Sequence, residues 1–154
     1  MKNLYCIVLI IFSLATISCG LDREQEDIYT IGFVQAMTTD NWRKEMNRAM
    51  KVEASMHPNL NLEIKDAHND VERQIAQVEG FIEKRVDVLI VSPIQSVPIT
   101  PVIEKAMNAG IPTIVIDRKI EGSNYTAYVG ANNVEIGENA ANYIISNSTP
   151  GKEL

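Results

Sequence analysis

The chain is 154 residues long, enough for one domain with a sizeable core but not for two. Its formal net charge is −6, and it has no cluster of Lys or Arg. That balance argues against nucleic acid and against a basic membrane-surface patch, while leaving uncharged ligands open. Composition is that of an ordinary α/β protein, with no internal repeat and no low-complexity tract.

Residues 1–19 differ in kind from the rest. Met1-Lys2-Asn3 is a short basic start, Leu4 to Ile17 is almost wholly apolar, and Ser18-Cys19 leads into the polar run Asp22 to Asp27. This is the pattern of a secretory signal, followed by a linker over 20–27. The apolar run is shorter than the roughly 20 residues a spanning helix needs, which favours a cleaved signal over an anchor. Ala15-Thr16-Ile17-Ser18-Cys19 resembles a bacterial lipobox, with Thr16 where that pattern prefers Leu. The resemblance implies lipidation of Cys19 and attachment to a membrane; the competing reading is an ordinary signal with an incidental cysteine. Cys6 falls inside the signal, so the mature chain has no thiol pair for a disulfide or a cysteine metal site.

Beyond the linker, apolar runs alternate with helical periodicity. Ile28 to Gln35 is expected to be a strand. Asn41 to about Met56 is expected to be a helix capped by Asp40, with Trp42, Met46, Ala49 and Met50 on one side. Leu60, Leu62 and Ile64 alternate with polar residues, as in a half-exposed strand. Val71, Ile75, Val78 and Ile82 form one helical face, with Asn69 and Glu72 as a capping-box-like start and Lys84-Arg85 at the negative end of the helix dipole. Val88 to Val91 is apolar throughout, as in a strand covered on both faces. Thr100-Pro101 suggests a helix start and Gly110 its stop; Pro112 to Asp117 is a fourth strand and Tyr128 to Gly130 a fifth. Asn133 is expected to cap a last helix carrying Ile136, Ala140, Ile144 and Ile145, ended by Pro150-Gly151.

This alternation implies an α/β fold: a doubly wound parallel sheet of order 2-1-3-4-5, with the alternating second strand at an edge. Ligands of such sheets bind beyond the carboxyl ends of the strands. Those ends carry Gln35 to Asn41, Asp66, Ser92 to Gln95, Asp117-Arg118 and Ala131-Asn132-Asn133. Asp117 with Arg118 offers an acceptor beside a planar five-donor group, suited to hydroxyls that donate and accept. The other reading of that pair is an ion pair that orders the loop. Trp42 either stacks on a ligand ring or packs its helix on the sheet, and Arg43 is either a second contact or a solvated residue. Asp40 is first a cap. His57 and His68 have no metal-ligand partners at suitable spacing, and no nucleophile elbow or dinucleotide-binding glycine pattern is present. Receiver domains share the sheet order but need acidic residues where Gln35 and Ser92 stand.

From Ile31 to Ile144 the chain resembles the ribose-binding type of periplasmic binding protein, a core shared with lactose-repressor-type regulators. The resemblance is carried by Trp42-Arg43, Val88 to Pro93, Ala109 to Pro112 leading into Ile116-Asp117-Arg118, and Tyr128 to Asn133 with Gly137. It implies a first ligand-binding lobe over 28–131. It also implies a hinge crossing and the first helix of an incomplete second lobe over 132–154, the rest of that lobe being missing. It further implies a small sugar as ligand, with Asp117 and Arg118 on its hydroxyls and Trp42 on its ring; Arg43, Asn41 and Asn132, from the strand ends, are the other expected contacts, and no catalytic residue, cofactor or metal is expected. The family commonly has two adjacent aromatics where this chain has Trp42 and Arg43. Asp40-Asn41-Trp42-Arg43 and Asp117-Arg118-Lys119-Ile120 are similar to the periplasmic sensor halves of hybrid two-component systems. That likeness implies a histidine kinase module as partner, within a parent that spans the membrane. A lipobox instead suits the substrate-binding lipoprotein of an ABC permease. A transcription regulator on the same core would need a helix-turn-helix where the export signal stands.

Overall fold

The computed structural model describes residues 27–148. The signal, Cys19, all of the linker but Asp27, and the Pro150-Gly151 stop lie outside the described residues. Among the described residues five strands and four helices follow in the order β1 (Tyr29–Gln35), α1 (Asn41–Ser55), β2 (Leu60–Asp66), α2 (Val71–Lys84), β3 (Val88–Val91), α3 (Ser96–Asn108), β4 (Thr113–Ile116), β5 (Ala127–Val129) and α4 (Asn133–Asn147), with no helix between β4 and β5. All strand pairs are parallel, in the order β2-β1-β3-β4-β5, as the apolar pattern implied. No helix among the described residues is long and apolar enough to cross a membrane.

The main core cluster lies on one face of the sheet. Val34, Leu89, Val91 and Val115 point there and are fully buried against Val78, Phe81, Ile99 and Ile103 of α2 and α3. Gly32 lets the Phe81 ring lie directly on β1, since a Cβ at that position would sit 2.8 Å from Phe81 Cγ. The other face is less complete. Val88, Ile90 and Ile114 are only half-buried there, so β3 is sealed on one side rather than both. The reason is that α1 lies over the β1–β2 side and has no fully buried residue of its own. Met46 and Met50 are half-buried as the helical pattern implied, while Trp42 and Ala49 are exposed.

Three helix starts differ from the sequence reading. α2 is capped by Asp70, whose side chain accepts from the Arg73 amide at 2.9 Å. Asn69 and His68 both have positive φ (61° and 53°), and Asn69 is therefore a turn residue rather than a cap. α3 begins a turn earlier than Thr100-Pro101, at Ser96, with Gln95 in the cap position and Pro101 inside the helix. Pro98, in its first turn, lacks an N–H that would have no intrahelical partner anyway, so it is the true start signal. The Thr100 hydroxyl donates instead to the Ser96 carbonyl at 2.9 Å. In α4 the cap is Asn132, one residue before Asn133, and Val134, Ile136, Tyr143, Ile144 and Ile145 are all exposed.

The fit of Phe81 on Gly32 gives a direct test of this packing. Gly32→Ala forces the ring or the strand to move and should destabilise the fold by about 1–3 kcal/mol in urea unfolding. An unchanged midpoint would show that Phe81 does not rest on that strand.

Candidate functional site

The site begins with a cap. Asp40 adopts an extended backbone before α1, and its carboxylate accepts the Arg43 amide and the Arg43 Nη1 group, each at 2.8 Å. One side chain thus fixes both the backbone and the guanidinium of Arg43. The same guanidinium donates from Nη2 to Asp117 Oδ2 at 3.0 Å, joining the first loop to the end of β4 across 74 residues of sequence. Its side chain is only 13% exposed. Its Nε is buried with no acceptor among the described residues. The Arg43 guanidinium carbon also lies 5.2 Å from the centroid of the Trp42 ring, which remains 55% exposed.

Asp117 has a positive φ of 69°. It and its neighbour part company there: Asp117 meets Arg43, whereas Arg118 Nη1 donates to the Ile94 carbonyl in the β3–α3 loop. The ion pair that the alternative reading placed within Asp117-Arg118 is not formed; Asp117 pairs with Arg43 instead. The loop that receives Arg118 is itself held by Gln74, a fully buried residue of α2. Its Nε2 donates to the Ser92 carbonyl at 2.9 Å and its Oε1 accepts the Ile94 amide at 3.0 Å.

A hollow of about 660 Å³ opens beside this pair. Asp117, Arg118, Lys119 and Tyr128 form one wall, and the stretch from Gly130 to Val134, with Ser96, forms the rest. Of the residues expected from sequence, Asp117, Arg118 and Asn132 share this hollow, while Asn41, Trp42 and Arg43 do not line it. Arg43 reaches it only through Asp117. Asn41 opens α1 as an exposed residue, and Asn132 spends its Oδ1 on the Glu135 amide at 3.3 Å as a helix cap. Sequence reading missed Ser96, Lys119 and Tyr128 as wall residues, and Gln74 behind them. Gln74 had a signal, since it lies three residues after Val71 and four before Val78, on the apolar face of α2. Among the described residues no group of three His, Cys, Asp or Glu side chains is placed to hold a metal ion.

The arrangement matches a known domain. A family model described as a periplasmic binding protein domain matches residues 31–152. The chain belongs to that family. It is 26% identical to the ribose import binding protein of Bacillus subtilis over its whole length, covering 53% of that protein. A solved fructose-binding periplasmic domain of a hybrid two-component system superposes with a TM-score of 0.73 at 42% identity, covering 77% of this chain and 39% of that one. The binding component of an arabinose ABC transporter from Shewanella sp. ANA-3 gives 0.70 at 28% identity, with 76% and 39% covered. The chain thus spans about half the length, or less, of the relatives it matches. By their names these three relatives bind sugars: ribose, fructose and arabinose.

Hydrogen bonds from the Arg43 amide, and then from its guanidinium, hold the Asp40 carboxyl below its ordinary value. A depressed carboxylate contributes stability above its unfolded pKa and loses it as pH falls through the folded one. The start of α1 should therefore hold at neutral pH and fray only below about 4, where aspartate ordinarily titrates. A falling protection factor for the Arg43 amide on acidification, with exchange referred to the intrinsic rate at each pH, is the expected result, and it should be absent in Asp40→Asn. A protection factor that does not change with pH would contradict the double role of Asp40.

Proposed function

We propose that this chain is the gripping lobe of an extracytoplasmic carbohydrate receptor that feeds a two-component sensor. The observation that carries this reading is the Arg43–Asp117 pair, which brings donors and an acceptor from two strand ends together at the carboxyl edge of the sheet. Sugar hydroxyls donate and accept at once, and Asp117 accepts while Arg43 and Arg118 donate. Arg43 Nε, buried without an acceptor, is a deficit that a ligand oxygen would make good. Trp42 offers an exposed aromatic face for the apolar side of a sugar ring. Binding between this lobe and a second one would stabilise a closed hinge state, which the partner reads.

The sensor role is supported by the 42% identity to a domain of a hybrid two-component system, against 28% to the arabinose transporter component. In that role the partner is a histidine kinase module and the membrane link is a spanning segment of the parent. A second reading, the binding lipoprotein of an ABC permease, is favoured by the lipobox-like sequence ending at Cys19. Sugar-dependent phosphorylation of the parent protein supports the first reading, and export with a lipid on Cys19 supports the second.

Calorimetry of the full-length protein with fructose, ribose and arabinose tests the site. Asp117→Ala should weaken binding of the preferred sugar roughly 10- to 100-fold, as the loss of charge-assisted hydrogen bonds does. Arg43→Ala should weaken it comparably. Unchanged affinity in Asp117→Ala would remove the basis of the assignment.

A further inference from the structure

The main chain at Asp117 is held in an unusual shape, and the parts that hold it are visible. The β4–β5 ladder runs through Ile116 and Val129, and the Asp117 amide extends it by donating to the Val129 carbonyl at 2.9 Å. The chain then reverses within three residues: the Arg118 amide donates back to the Ile116 carbonyl at 2.9 Å, around Asp117 at a φ of 69°. A three-residue turn with a positive central φ is rare and strained for a residue with a side chain. Such strain persists only where the surroundings over-determine it. Here the restraint is the Tyr128 hydroxyl, which donates to the Asp117 carbonyl at 2.8 Å. Gly130 makes room for it, because a Cβ there would run into the Tyr128 phenol and lie 3.0 Å from the Asp117 carbonyl.

The turn has a consequence for the side chains. It sends the Asp117 carboxylate to Arg43 in α1 and the neighbouring Arg118 guanidinium to the Ile94 carbonyl. A relaxed backbone at Asp117 would re-aim both.

We infer that Tyr128 is a positioning residue for ligand binding: its hydroxyl clamps the strained turn at Asp117, and Gly130 is required so that it can. The inference deepens the carbohydrate reading and rests on it. Tyr128 acts through Asp117 and need not touch the sugar.

The test is Tyr128→Phe in the full-length protein, which removes one oxygen and keeps the ring. The probe is whichever of fructose, ribose and arabinose the unmodified protein binds most tightly. Affinity should fall about 10-fold, the scale of one aligned hydrogen bond. The ligand-free melting midpoint should stay within about 2 °C, because released strain offsets the lost bond. Exchange of the Arg118 amide should become about 10-fold faster as the turn loosens. In an Asp117→Ala background, Tyr128→Phe should cost less affinity than in the unmodified protein, since only its effect on Arg118 remains. A lower melting midpoint with unchanged affinity would mean that Tyr128 is structural only and would overturn the inference. So would unaltered Arg118 exchange, or equal losses in both backgrounds. If Asp117→Ala is harmless, or no sugar binds the unmodified protein, the carbohydrate reading itself fails. If Asp117→Ala is damaging and Tyr128→Phe is not, only the clamp fails.

Discussion

One guanidinium organises the carboxyl edge of this sheet. Arg43 is pinned from below by Asp40, which also caps α1, and reaches across to Asp117 at the end of β4. Because its side chain is mostly buried, the pair acts in a less screened setting than a surface ion pair. Remove it and two loops that approach from separate strands lose their only side-chain ion pair to each other among the described residues. The positions of Trp42, next in sequence to Arg43, and of Arg118, next to Asp117, depend on the same link.

Beneath that edge the molecule is built asymmetrically. The face under α2 and α3 is a closed apolar core, and it anchors the functional loops through buried polar residues. Gln74 ties the end of β3 to α2, and the Ile94 carbonyl in that loop then receives Arg118. The face under α1 is only partly covered, and α4 leaves its apolar side chains exposed. Packing is thus complete beneath the loops that carry Asp117 and Arg118 and less complete on the opposite face.

Much of the fold was legible because it rests on local patterns. Alternation in β2 against unbroken apolar runs in β3 and β4 placed the edge and the centre of the sheet correctly, and Asp40 before Asn41 gave the start of α1. The failures were equally local. Thr100-Pro101 mimics a helix start that Pro98 had already provided, and Asn69, read as a cap, has the left-handed backbone of a turn, so the cap falls to Asp70. The rim was legible as a set of polar strand ends, and the resemblance to a known family picked out Asp117, Arg118, Trp42 and Arg43 among them. What could not be read was who pairs with whom. The partner of Asp117 lies 74 residues away and leaves no periodic trace, while the positive φ that turns Asp117 away from Arg118 is a property of the folded backbone alone.

A crystal structure of the full-length protein with its preferred sugar is the most direct test of this account. The expected result is a sugar whose hydroxyls bond Asp117 and at least one of Arg43 and Arg118, with the Trp42 face against its ring. A sugar bound elsewhere, with the Arg43–Asp117 pair untouched and dry, would contradict it.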